Sequence, residues 1–332
     1  MNDDDRKKKA DIVERLKDKK SENPVSLAEF CWLLRQNGLS HNHGYFHYTT
    51  WDRLRSMLEK HDVGTCEQHR LFFLSAASQM NDQNDAHDGT YIASFSFGEE
   101  EEIAMWTNYG VPKRGAVRIR FPMAAITKWS NANVPGKMKV YVQANGNTSF
   151  HLLEVRPVSV EFADVAYFGR NDENDKAKHQ RVRYRGMSFG LKDDKWRKRI
   201  KGKPEAVLFK KRGWAYENEV RLIVRFADTS AVKKYAKIAL DFDSLYDAML
   251  ADVEKNVLLG PWQDKYGLQL PAIAGIAGAG HSTFEGELRM RSNCDLCGFK
   301  ESDDCKCPNA EWRMWERKKH WCAKLSWAEL EN

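Results

Sequence analysis

Apolar residues along this chain fall into short blocks whose spacing alternates between helical and extended. Ser26 and Glu29 make a capping-box pattern, in which a hydroxyl and a carboxylate satisfy the free amides of a helix start. Leu27, Phe30, Cys31 and Leu34 then share one face, and Asn37-Gly38 marks the stop, so a helix of roughly three turns is expected. Residues 45–49 read as a strand, Leu54, Met57 and Leu58 as the inner stripe of a helix, and residues 71–74 as a buried strand. Further strands are expected over 90–97, 117–121, 139–142, 158–168, 219–226 and 236–242, and residues 206–209 restore an ordered apolar block. The acidic run 99–102 suits the start of a helix carrying Met105, Trp106 and Tyr109, and another helix is expected over 244–254. Before Pro24 only Ile12, Val13 and Leu16 form a weak stripe, which reads as a frayed helix or tail. Residues 81–89 read as a polar turn, and from 169 to about 203 the pattern dissolves, so a long mobile loop is expected. Many short strands with few helices indicate an α+β fold.

Composition narrows the class. With 332 residues, 42% apolar and 11% aromatic, the chain is globular rather than disordered and long enough for one large domain with appendages. No run approaches the 18 or so apolar residues of a membrane span, and the charged N-terminus lacks the apolar core of a signal peptide, so a soluble, cytoplasmic protein without membrane association is expected. The net charge of +6 is unevenly spread. Residues 176–212 hold 15 Lys/Arg against 3 Asp/Glu, a local +12 that leaves −6 for the rest. Positive charge concentrated in one segment attracts polyanions through phosphate contacts and counterion release. Lys195, Trp196, Arg197, Lys198, Arg199 and Lys201 are the candidate nucleic-acid-binding residues, with Trp196 and Tyr184 available to stack on bases. The bland alternative is a solvated charge run.

Near the C-terminus, Cys294-x-x-Cys297 and Cys305-x-Cys307 supply four thiolates, the number a closed tetrahedral zinc site needs. Cys322, His320 or His281 could replace one ligand, and the tryptophans at 312, 315, 321 and 327 are expected to pack against such a module. Three regions follow: a helical N-terminal extension over 1–40, a main domain over 41–290, and a Cys-rich zinc module with a Trp-rich tail over 291–332. The glycines from Gly275 to Gly280 have phosphate-loop spacing, but His281 stands where a lysine should meet the phosphates, so a turn or close-packed backbone is the better account.

Three separated pieces draw attention together: His47-Tyr48-Thr49, the stretch Gly89-Thr90-Tyr91-Ile92-Ala93-Ser94-Phe95-Ser96, and Glu217-Asn218-Glu219. In this order and spacing they resemble the ADP-ribosyltransferase superfamily, in its His-Tyr-Glu branch. The chain also resembles a bacterial family known only as a domain of unknown function, through His47 to Thr49, Leu74-Ser75 with Asn81-Asp82, Ser94-Phe95-Ser96 with Met105-Trp106 and Tyr109, and Trp214 with Glu217, Glu219 and Arg221. Tyr48 stands where many eukaryotic transferases have glycine; bacterial members that modify DNA carry an aromatic residue there.

The transferase resemblance implies a split β-sheet core, NAD as substrate, and an acceptor of RNA or DNA in a toxin or antiviral-defence setting, where an antitoxin or chaperone partner is conceivable. Glu219 would bond the nicotinamide ribose and stabilise an oxocarbenium-like centre, the task carboxylates perform in glycosidases. Glu217, two residues earlier in an expected strand, would share its face and activate the acceptor. His47 would hold the adenosine ribose, with Tyr48 and Thr49 beside it among the NAD-binding residues, Tyr91 would stack on nicotinamide, and Ser94 or Ser96 would support the strand beneath. Two alternatives remain open: an NAD glycohydrolase, or a non-catalytic zinc-containing nucleic-acid-binding protein. On the non-catalytic view Glu217 and Glu219 pair with Arg221 or Lys210 on a sheet surface.

Overall fold

A computed structural model describes residues 2–18, 23–64, 67–79, 88–98, 101, 103–109, 115–143, 149–169, 181–193 and 195–261, together with 273, 276 and 278–282. The proposed zinc ligands Cys294, Cys297, Cys305 and Cys307, the tail tryptophans and the Asn81-Asp82 pair lie outside the described residues.

The N-terminal segment is more ordered than its sparse stripe suggests. Helix α1 (Asp3–Lys17) buries Ile12 and Leu16, and Arg15 bonds Glu29 at 2.6 Å. Helix α2 (Leu27–Asn37) begins on the expected capping box of Ser26 and Glu29. The chain then runs β1 (Tyr45–Thr50), α3 (Trp51–Leu58), β2 (Lys60–Asp62), β3 (Gln68–Ala76), β4 (Thr90–Ser96), α4 (Ile103–Asn108), β5 (Ala116–Phe121), α5 (Met123–Ala132), β6 (Val140–Gln143) and β7 (Phe150–Leu152). The stretch expected as one strand over 158–168 is two, β8 (Ser159–Asp164) and β9 (Ala166–Phe168). They belong to different sheets, and the chain crosses at Val165, whose amide bonds the Glu219 carbonyl at 2.9 Å.

The expected loop after 169 is corrected where it is described. It contains a hairpin, β10 (Arg181–Tyr184) and β11 (Met187–Gly190), and a short helix α6 (Trp196–Ile200). Arg181 and Arg183 alternate with buried Val182 and Tyr184, so a half-buried strand carries its positive charge on the outer face. Next come β12 (Phe209–Lys211), a 3₁₀ turn over Arg212–Glu217, β13 (Glu219–Arg225), α7 (Thr229–Val232) and β14 (Lys237–Asp241). The helix expected over 244–254 is broken into α8 (Asp243–Leu250) and α9 (Val253–Asn256), followed by β15 (Val257–Leu259) and β16 (Gly280–His281). Gly280 fits the close-packed reading, since a Cβ there would lie 2.3 Å from the Glu254 carbonyl oxygen.

The fold is mixed α+β. Among the described residues, one open sheet of 12 strands runs β16-β15-β5-β1-β4-β3-β14-β6-β7, with β13 and β8 added alongside β4 and β2 alongside β3. A second sheet of 4 strands has the order β11-β10-β9-β12. Strand β4 is the hub: β13 pairs with it along its whole length, whereas β1 meets it at Ser96 and β3 at Tyr91 and Ile92. One face of the large sheet packs an aromatic core that includes Phe72, Phe95, Phe121, Trp129 and Phe242. The other face, with the small sheet, α1 and α2, encloses a second core containing Phe30, Ile92, Trp196, Phe209 and Ile223. No helix among the described residues is long and apolar enough to cross a membrane.

Candidate active site

Strand alternation decides which predicted residues can meet. Phe46 pairs with Ser96, and Ser96 pairs with Glu219, so these three side chains leave the sheet on one face. Ser94 pairs with Arg221 on that same face. His47 and Tyr91 project from the opposite face into the main core. The His47 ring packs against Phe72 and Phe95, and its Nδ1 lies 3.2 Å from the Ser94 carbonyl oxygen. Burial pushes the His47 pKa down to about 4, which keeps the ring neutral. Tyr91 is 1% exposed, meets Phe226 edge-on, and directs its hydroxyl to the Val232 and Tyr235 carbonyls at 2.7 and 2.9 Å. Thr49 is also buried, on the His47 side of β1. The structure does not bring His47, Thr49 and Tyr91 together with Glu219: the sheet stands between the first three and the last. Tyr48 lies on the Glu219 face, edge-on to Trp106 at 5.0 Å.

What does converge is a buried ionic network. The Glu219 carboxylate accepts the Ser94 hydroxyl at 2.5 Å and Arg221 Nε at 2.7 Å on one oxygen, and Lys210 Nζ at 3.1 Å on the other. The same ammonium reaches Glu217 at 2.5 Å, and the second Glu217 oxygen accepts the Tyr109 hydroxyl at 2.5 Å. Arg221 continues to the Val207 carbonyl at 2.6 Å, and the Tyr167 hydroxyl accepts the Glu219 amide at 2.9 Å. Two carboxylates thus face one ammonium and one guanidinium, with all four of these charged groups buried.

Glu217 reaches this network by a route the sequence pattern did not suggest. It ends the 3₁₀ turn rather than sitting in the strand, because Asn218 takes the left-handed conformation at φ 42°. Asparagine tolerates that conformation better than most residues. The turn folds Glu217 toward Lys210 on β12, while β13 begins at Glu219.

The carboxylates are held at different proton affinities. Burial works to raise Glu219, but the Arg221 guanidinium and then the Lys210 ammonium outweigh it and hold its pKa far below the ordinary carboxylate range. Burial raises Glu217 to about 7; the Lys210 ammonium draws it back by more than the negative charge of Glu219 adds, but burial prevails. Tyr109 stays a proton donor, its pKa pushed well up by burial and by the charge of Glu217. Near neutral pH the network therefore pairs a firmly ionised carboxylate with a neighbour that exchanges its proton.

The face around the network is aromatic and cationic. Arg118 is 5% exposed, stacks its guanidinium 3.8 Å from the Phe46 ring centroid and bonds the Gly98 carbonyl at 3.1 Å. Lys210 lies 4.9 Å from the Trp214 ring, and Tyr216 accepts Asn108 at 2.9 Å. Arg118, Tyr167 and the pivotal role of Lys210 carry no motif signal; only the apolar-basic alternation of β5 marks Arg118.

The basic segment is partly redistributed. Trp196 is fully buried, 4.7 Å from Phe209 and edge-on to Phe168, and Tyr184 is buried with its hydroxyl 2.7 Å from Asp164. Neither ring is available to a base, because each closes the second core. Lys195, Lys198, Arg199 and Lys201 are exposed, Arg199 pairing with Asp193 at 2.8 Å, and Arg197 lies over Phe168 at 4.2 Å.

A family model described as a protein of unknown function (DUF2971) matches residues 105–222. That span opens on Met105-Trp106 and takes in Tyr109, Lys210, Glu217, Glu219 and Arg221, so it encloses the network apart from Ser94. No curated protein and no solved structure matches the chain.

Proposed function

We propose that the chain is a glycosyl-transferring enzyme that cleaves the nicotinamide–ribose bond of NAD and passes ADP-ribose to a nucleic acid. The observation that carries this reading is the buried carboxylate pair around one ammonium, Glu219 tied to Ser94, Arg221 and Lys210 and Glu217 tied to Lys210 and Tyr109, with Glu219 held below and Glu217 above the ordinary carboxylate range. An oxocarbenium-like centre on the ribose needs a fixed negative charge beside it, and the incoming hydroxyl or amine needs an acceptor for its proton. Glu219 supplies the charge, and Glu217, with Lys210 and Tyr109 as its hydrogen-bond partners, takes the proton. As the C1′–N bond breaks, nicotinamide leaves with the bonding electrons and the acceptor forms the new bond at C1′. Tyr48, Ser94 and Ser96 share the face of Glu219 and replace His47 and Tyr91 as the strand residues nearest the reaction. The exposed lysines and arginines around α6 favour RNA or DNA as acceptor, held through phosphates rather than by base stacking. The four cysteines from Cys294 to Cys307 are proposed to hold a structural zinc ion beside this domain.

A second reading, a nucleic-acid-binding protein without activity, is favoured by a specific feature: Glu217 and Glu219 are 2% and 1% exposed and both are already paired. Incubation with labelled NAD and separate RNA, DNA and protein pools discriminates the two. Label on a nucleic-acid pool that disappears in Glu219→Gln supports transfer, and free ADP-ribose alone supports hydrolysis. Absence of NAD turnover in folded wild-type protein leaves the binding reading.

A further inference from the structure

A second polar cluster, with no motif in the sequence, sits where β3, β14 and α8 meet. His69 Nδ1 lies 3.1 Å from Asp241 Oδ2 and 3.2 Å from Asp243 Oδ2, and the three atoms fall within 4.8 Å of one another. The remaining carboxylate oxygens are already committed. Asp241 Oδ1 accepts the Asp243 amide at 2.9 Å, and Asp243 Oδ1 accepts the Arg70 amide and guanidinium at 3.2 and 3.1 Å. Both Oδ2 atoms are thereby turned toward the imidazole. Behind the ring, Nε2 lies 3.3 Å from Glu67 Oε2. A carboxylate in that position holds the proton on Nε2, so that Nδ1, which without an ion donates toward the two aspartates, is the nitrogen free to exchange its proton for a metal, the outer-shell arrangement of metal-binding histidines.

Charge and an orphaned hydroxyl point the same way. Among the described residues, the fixed cations paired with Asp241, Asp243, Glu67 and Asp247 are Arg70 and Lys139, two fewer than the carboxylates. Tyr141, across from Ala239 on β6, is 1% exposed with its ring 5.8 Å from that of His69, and its hydroxyl has no hydrogen-bond partner among the described residues. A buried hydroxyl left without a partner is costly, so it calls for one at the cluster.

We infer that His69, Asp241 and Asp243 form a three-ligand site for a divalent transition-metal ion, with Glu67 orienting the imidazole and the Tyr141 hydroxyl placed to bond a metal-bound water. One nitrogen and two carboxylate oxygens with open positions suit Zn²⁺ or Mn²⁺, whereas the imidazole disfavours Mg²⁺ and Ca²⁺. The ligands come from a paired strand and the residues at its end, so the site is largely preformed, and an ion there ties the start of α8 to β3.

The test is metal binding by the full chain after chelation. Because the Cys294–Cys307 thiolates compete for Zn²⁺, bound equivalents are compared between wild type, His69→Ala and the near-isosteric Asp241→Asn. The expected result is one equivalent fewer in each variant, and Mn²⁺ broadening of the His69 and Tyr141 ring resonances in wild type. Equal zinc content in wild type and folded variants overturns the assignment. So does the absence of Mn²⁺ broadening at His69 and Tyr141, which needs no variant.

Discussion

Lys210 is the residue on which the ionic network turns. Its ammonium is shared by both carboxylates, while Arg221 serves Glu219 alone. Removing it leaves two buried carboxylates with one cation, and an uncompensated charge at such a position costs about 3–5 kcal/mol. Lys210→Met should therefore destabilise the protein by about that amount, and adding Glu217→Gln should recover a large part of it, because the second change removes the orphaned charge. Urea denaturation of the two single variants and the double closes the cycle; strict additivity would show that the two groups do not act on each other. His47 makes a different demand. An unfolded chain protonates this ring near 6.5, whereas the native ring resists until about 4. The unfolded state therefore binds more protons across that window, so stability falls as the pH drops through it, by about 3 kcal/mol when complete. His47→Gln should flatten the dependence of melting temperature on pH between 6.5 and 4, and an unchanged slope would show that the ring is not held neutral.

At the level of elements, the strands and the capped helix were readable in the pattern, and the failures share a cause. Hydrophobic alternation locates a strand but not its partner, so nothing at residues 158–168 signalled that the chain changes sheets at Val165. The hairpin of β10 and β11 was hidden because its outward positions are arginines, although Arg181-Val182-Arg183-Tyr184 alternates as a half-buried strand does. Parity was available and would have separated the site residues: Tyr91 and Ser94 are an odd number of places apart in one strand, so they cannot face the same cleft. The motifs around Trp106, Tyr109, Glu217 and Glu219 did locate the network, since buried polar residues are constrained in type and place. Gly38 shows how an element boundary can be right for another reason. The helix stops there as expected, yet the glycine is right-handed, at φ −59°, and so gains nothing from its freedom at positive φ. A Cβ would instead lie 2.1 Å from the Phe162 carbonyl oxygen, a contact with backbone that cannot yield without displacing β8. Gly38→Ala should destabilise by about 1–3 kcal/mol through overpacking, where a residue required only for flexibility would gain stability from alanine. Chemical denaturation reads the sign directly.

Among the described residues of the basic segment, Lys210 is buried in the ionic network, while Arg181 and the exposed cations around α6 lie outward and the inner faces of the small sheet and α6 complete a core. Trp196 and Ile200 point inward one helical turn apart, and Lys198, Arg199 and Lys201 point outward between and after them. Trp196 packs on Phe209, the residue before Lys210, so the cationic surface is anchored to the strand that supplies the centre of the ionic network. If nucleic acid is the acceptor, this surface works by phosphate neutralisation, because its aromatic residues are committed to the core. Binding should then fall steeply with salt, each neutralised phosphate of duplex DNA contributing about 0.9 to the slope of log K against log[salt]. Replacing Lys195, Lys198 and Lys201 by glutamine should lower that slope by roughly 2–3 and weaken binding to unrelated sequences alike. Melting temperature should stay unchanged, since these side chains are exposed and outside the network, while transfer to nucleic acid should fall together with binding. A slope that the triple variant leaves intact would place the nucleic acid elsewhere on the surface, and a fall in melting temperature would mean that the lysines serve the fold.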